Sequence, residues 1–197
     1  MYFFRKTKFS SLAEASKKPK NCIKLSLHFY DQNLKDKGEI FSKFVNLEVL
    51  EMQADPSIYY LDDFEIPSEI RNLKKLKKIS VLNFPLKFFP EWIFEIKSLQ
   101  YLMLRGTDIT EIPDSIYRLE KLKTLRVENC KLNRIPKTLN QMKNLKILGL
   151  SDTVLTDFSI SLFPQNLKEI NFSGTGVYKK EDLEHLKAKM PRTRIYP

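Results

Sequence analysis

Apolar residues recur along this chain with a beat that suits neither one long helix nor an ordinary run of strands. The pattern L-x-x-L-x-L opens at Leu76 (with Ile79 and Val81), Leu99 (Leu102, Leu104), Leu122 (Leu125, Val127), Leu145 (Leu148, Leu150) and Leu167 (Ile170, Phe172), at intervals of 23, 23, 23 and 22 residues. Looser copies open at Cys22, Leu47 and Met190, which makes eight modules. Within each, apolar and polar positions alternate, and that predicts a short strand with its leucines on one face. A second signature follows the strand: Ile66-Pro67, Phe89-Pro90, Ile112-Pro113 and Ile135-Pro136. Three residues after each Pro stands Ile70, Ile93, Ile116 or Leu139, and six after it Leu73, Ile96, Leu119 or Met142. A three-residue beat behind a proline predicts one or two helical turns, since Pro is tolerated at the first helical position.

Strand, loop, short helical segment and strand again is a chain that turns once per repeat. One such unit cannot bury its own leucines, whereas stacked units share a continuous core. The run Leu99-Gln100-Tyr101-Leu102-Met103-Leu104, together with Ile112-Pro113-Asp114-Ser115-Ile116-Tyr117-Arg118-Leu119 and its equivalents, resembles the leucine-rich repeat family, in the bacterial class with repeats near 23 residues. The likeness runs over roughly residues 21 to 196. It implies an α/β fold: a right-handed solenoid, horseshoe- or arc-shaped. A parallel sheet lines its concave face, short helical or 3-10 segments its convex face, and helical caps close both ends. It also implies action through protein–protein contacts.

On that frame residues 1–20 form an N-terminal helical cap, 21–178 the repeats, and 179–197 a capping helix with a last strand, all in one structural domain. Ser11-x-x-Glu14 reads as a capping box that opens a helix carrying Leu12 and Ala15, and Tyr2, Phe3, Phe4 and Phe9 are assigned to the same cap. Lys179 to Lys189 reads as the closing helix, with Leu183, Leu186 and Met190 on one side. The turn after each strand carries Thr107, Cys130, Thr153 or Thr175; a Thr hydroxyl can satisfy one buried backbone partner and a Cys thiol does so only weakly, while Asp55 and Phe84 mark irregular early turns. Cys22 and Cys130 fall four strands apart, ~19 Å at sheet spacing and beyond disulfide reach. They are expected to be buried free thiols.

Composition narrows the chemistry. With 42% hydrophobic and 29% charged residues the chain is an ordinary globular sequence, and no stretch reaches the ~20 apolar residues of a membrane span. No H-E-x-x-H, C-x-x-C, G-x-S-x-G or P-loop occurs, and the two histidines, His28 and His185, fall on distant modules. Gly174-Thr175-Gly176 sits where a repeat turn belongs, and Asn171-Phe172-Ser173 is a sequon inside a strand. The expectation is a non-enzymatic binding module with no cofactor and no metal. Met1-Tyr2-Phe3-Phe4 is too short for a signal-peptide core and runs straight into Arg5 and Lys6, which suggests a cytoplasmic protein and leaves leader-less export open.

Candidate contact residues come from the polar strand positions, which face the concave side. Leu82, Tyr101, Met103, Arg105, Arg126, Glu128 and Ile147 combine aromatic, Met and Arg character in the manner of interface centres. An insert in the second module places Tyr59 and Tyr60 either at the rim of that face or folded back over the early turns. Phe88, Trp92 and Phe94, in positions the motif leaves outside, suggest a weak self-association patch or merely scattered aromatics. The net charge of +10 falls mainly on one edge, where Lys20, Lys74, Lys75, Lys77, Lys97, Lys121, Lys123, Lys143, Lys146, Lys168 and Lys189 flank the strand starts. The partner expected is therefore a protein on the concave face. The alternative is an anionic surface (nucleic acid, membrane or acidic polymer) on the lysine edge.

Overall fold

A computed structural model of the chain describes residues 6–29, 34, 37–55, 65–155, 159–175 and 180–197. Among them nine strands run parallel in one sheet, in chain order: β1 (Lys8–Phe9), β2 (Lys24–Phe29), β3 (Val49–Ala54), β4 (Lys78–Leu82), β5 (Tyr101–Thr107), β6 (Thr124–Cys130), β7 (Ile147–Gly149), β8 (Glu169–Asn171) and β9 (Arg194–Tyr196). The alternation seen in the sequence becomes register. Leu25, Leu50, Ile79, Leu102, Leu125, Leu148, Ile170 and Ile195 pair in succession as one apolar row. All but the half-buried Ile195 are buried in a core that is continuous along the solenoid, as stacking requires.

The proline signature forms the opposite wall. Ser68–Asn72, Glu91–Glu95 and Asp114–Arg118 are 3-10 segments that follow Pro67, Pro90 and Pro113 directly, and Leu139–Gln141 is a shorter one after Pro136. The prolyl carbonyls accept from Ile70, Ile93, Ile116 and Leu139 at 3.0–3.3 Å, and all four side chains are buried. A 3-10 turn rises ~2.0 Å per residue against ~1.5 Å for an α-helix, so five residues cross the module that the chain must traverse in each repeat.

At the ends of β4 to β8 the chain passes through a residue in left-handed backbone conformation: Asn83 (φ 60°), Gly106 (64°), Asn129 (49°), Asp152 (54°) and Gly174 (74°). Asn and Asp tolerate this region, and Gly enters it freely. At Gly106 a Cβ would also stand 2.5 Å from Asn83 Oδ1 one rung below, and the Asn83 amide would have to swing aside. Two of the three turn hydroxyls hold backbone carbonyls as expected, and Thr107 meets a thiol instead. Thr153 and Thr175 donate to the carbonyls of Leu150 and Phe172 at 2.7 and 2.8 Å, and Thr107 Oγ1 lies 3.1 Å from Cys130 Sγ. Cys22 and Cys130 are buried free thiols, and burial pushes the Cys22 pKa up to about 11 and raises that of Cys130 as well. At the irregular early turns Phe84 is fully buried and meets Phe29 edge-to-face at 5.6 Å.

Two features depart from expectation. The N-terminal segment opens with strand β1, parallel to β2, with Phe9 opposite Leu25; only then comes helix α1 (Leu12–Ser16), whose Ser11 accepts from the Glu14 amide at 3.2 Å. Pairing an edge strand satisfies backbone groups that a helix alone would leave open on β2. Helix α2 (Gly38–Ser42) packs beside the Ser68–Asn72 segment, and α3 (Lys180–Lys189) buries Leu186, with Met190 just past its end, and leaves Leu183 half-buried. The second departure corrects the convex aromatic patch: Phe94 is 1% exposed and stacks on Phe89 at 5.4 Å, so it belongs to the core. Tyr117, its equivalent one repeat on, finds Ile112 in place of a ring and stays exposed. Trp92 packs partly against the core, and Phe88 stands alone at 84% exposure.

A concave face wired by its own ion pairs

Each strand presents alternate side chains to the concave side, and register turns them into rows. The row nearest the strand starts runs Lys24, Val49, Lys78, Tyr101, Thr124, Ile147, Glu169, Arg194. The next runs Ser26, Glu51, Ser80, Met103, Arg126, Gly149, Asn171, Tyr196, and a third, shorter row holds His28, Gln53, Leu82, Arg105 and Glu128. Six of the residues singled out from the sequence thus lie on adjoining strands β4–β6, and Ile147 follows on β7. Tyr59 and Tyr60 lie outside the described residues, as do Tyr2, Phe3 and Phe4.

Charges on this face largely answer one another. Glu51 sits between Lys24 (2.6 Å) and Lys78 (2.8 Å) and also accepts from Ser26 at 2.9 Å. Partial burial disfavours its charged form, but these three donors outweigh that and hold its pKa down at about 2. Lys78 Nζ stands 4.9 Å from the centre of the Tyr101 ring, a cation–π contact, and the Tyr101 hydroxyl lies 3.6 Å from Met103 Sδ. Arg126 forks between Glu128 at 2.8 Å and Glu169 at 3.1 Å. Burial works against its charge, yet the two carboxylates keep its pKa above the ordinary arginine value.

Glu128, expected as an exposed contact, is only 6% exposed. Its carboxylate folds over Gly149, where a Cβ would collide with Glu128 Oε1 and come within 2.9 Å of Arg126 Cγ. Gly149 therefore makes the space in which the Arg126–Glu128 pair lies flat. Sequence reasoning missed both this arrangement and the Lys24–Glu51–Lys78 bracket. The signal was present as equal offsets within the repeat, but which charges meet depends on rotamers. Arg105 has no ion pair among the described residues: it stands exposed between the half-buried Leu82 and the buried Glu128, two residues along its strand from Met103.

The chain matches the family model described as "Leucine-rich repeat region" over residues 26–172. It belongs to the leucine-rich repeat family. No curated protein matches it in sequence. Among solved structures, this leucine-rich repeat chain is similar to a leucine-rich repeat protein of Leptospira interrogans, with 21% identity and a TM-score of 0.55 over 87% of this chain and 52% of that one. It is similar to an internalin from Listeria monocytogenes, with 15% identity and a TM-score of 0.66 over 96% of this chain and 57% of that one. A third neighbour is a plant peptide hormone receptor in complex with RGF2, at 22% identity and a TM-score of 0.57, with 87% of this chain and 30% of the receptor covered. The chain thus spans little more than half of the two bacterial proteins. At these identities the likeness establishes the fold. No described helix is long and apolar enough to cross a membrane.

Proposed function

We propose that this leucine-rich repeat chain is a non-enzymatic recognition module that binds a protein partner on its concave face, centred on β4–β6. The observation that carries the reading is Arg105, which makes no ion pair among the described residues because the neighbouring Glu128 is turned to Arg126, set beside Leu82 and Met103 on a face whose other central cations are paired. An unpaired arginine among apolar side chains has the composition of an interface centre. The preformed sheet keeps the ordering cost of binding low. Tyr101 is held in place by Lys78, so its ring is offered in one orientation. The paired Arg126 and Glu128 frame this centre.

The test is affinity capture from native lysate followed by titration of the captured protein against a Tyr101→Ala/Arg105→Ala variant. Loss of ~2 kcal/mol, roughly a thirtyfold weaker Kd, with an unchanged melting temperature is the expected result. Unchanged affinity would place the partner elsewhere. The alternative reading, an anionic surface on the lysine edge, rests on the lysines of that edge. Its signature is affinity for a phosphate backbone that falls steeply with added salt.

A further inference from the structure

The lysine edge is not uniform. At its N-terminal end Lys77 pairs with Glu48 at 2.9 Å, and Lys75 donates to Asn46 Oδ1 at 2.7 Å, while Asn46 in turn donates to the Lys20 carbonyl. Toward the C-terminal end Lys123, Lys146 and Lys168 occupy consecutive rungs. The carbonyl of Lys123 accepts from Lys146 N (2.8 Å), that of Lys146 from Lys168 N (2.7 Å), and that of Lys168 from Arg194 N (2.8 Å). Side chains on such rungs start ~4.8 Å apart. None of these four cations has an ion pair among the described residues, and together with Thr124, Ile147 and Glu169 they line a shallow groove of about 450 Å³. Glu169, the one acid there, is already held by Arg126.

Like charges on adjacent strands destabilise a sheet. The same repeat accepts Gln100 at the Lys123 position one module earlier and Glu48 three modules earlier, so the lysine run is not a demand of the fold. An acidic partner segment would supply the counter-charge that the described residues do not. Ile147 and Thr124 belong both to this groove and to the first concave row, next to Tyr101, so a body seated on the concave face continues into it.

We propose that the Lys123–Lys146–Lys168–Arg194 groove receives an acidic segment of the protein that binds the concave face. This rests on the concave-face reading above. A protein segment is favoured over nucleic acid for two reasons. The cations span only four rungs, ~15 Å, and an apolar residue shares their groove.

Fluorescence anisotropy at low salt with a dye-labelled hexaglutamate peptide tests the groove by itself. Binding to the intact chain, weakened about tenfold by Lys123→Gln/Lys146→Gln/Lys168→Gln and less than about threefold by Lys20→Gln/Lys75→Gln/Lys77→Gln, supports it. Absence of binding overturns it, as do equal losses in the two triple variants. A hexathymidylate that binds as tightly as the peptide overturns it in favour of a phosphate-reading edge. The captured partner must also lose affinity for the first triple variant, and if it does not, the proposal fails. The Tyr101→Ala/Arg105→Ala variant should bind the peptide normally. Failure of the concave-face reading and failure of the groove are thereby read in separate titrations.

Discussion

The two ends of the solenoid are built from the same repeat and treat charge in opposite ways. In the N-terminal half the acids stand one rung from the lysines: Glu48 meets Lys77, and Glu51 is clasped by Lys24 and Lys78. In the C-terminal half Lys123, Lys146 and Lys168 follow one another with no acid of their own. The leucine rows are the same in both. Core and surface are therefore independent variables in this fold: the core sets where each strand lies, and the rung-to-rung choice at the exposed positions sets whether an edge is closed or left reactive.

That independence is open to attack at the core first. Leu50→Ala in β3 and Leu148→Ala in β7, both fully buried, should each cost ~2–5 kcal/mol in denaturant unfolding and leave a single transition. A biphasic curve in either variant would show that the two halves are separate folding units. Next in size is the flat ion pair of the central strands. Gly149→Ala should cost ~1–3 kcal/mol through the clash with Glu128, and a second change, Glu128→Ala, should recover most of the loss. If the double variant melts no higher than the single one, the glycine is there for another reason.

Acid separates the halves more gently. Because the folded pKa of Glu51 lies at about 2, below the 4.5 usual for a glutamate, its contribution is complete above pH 4.5 and fades as the pH falls toward 2. The melting-temperature gap between the native chain and Glu51→Gln should narrow over that interval, and a gap constant with pH would discount the Lys24–Lys78 bracket. The smallest effect is expected at the open edge. Lys123→Gln/Lys146→Gln/Lys168→Gln should change stability by no more than about 0.5 kcal/mol, with any change in the direction of stabilisation. A clear loss of stability would mean that these side chains hold the fold and not a ligand.

Much of this was legible beforehand, for reasons that particular residues make plain. The strands at Leu76, Leu99, Leu122, Leu145 and Leu167 follow from a period, and the helical turns follow from Pro67, Pro90 and Pro113, whose backbone restriction acts locally. The repeat pattern puts Phe94 outside, because its burial depends on a second ring, Phe89, that the repeat does not require. From sequence Glu128 reads as an exposed contact, because nothing in its own neighbourhood says that Gly149, one strand away, leaves room for it to lie down. Strand β1 was hidden because two residues, Lys8 and Phe9, are too few to show a period.

By itself the sequence determined the solenoid: each repeat states its own strand, turn and return, and the shared need to bury leucines stacks them in one order. Only the tertiary structure decided which charges meet. Ion pairs across rungs join residues 20 to 45 positions apart, and the choice between them is made by side-chain reach and by the space a neighbouring strand leaves. Glu51 between two lysines, Arg126 between two glutamates, and the unanswered lysines of the far edge are facts of juxtaposition.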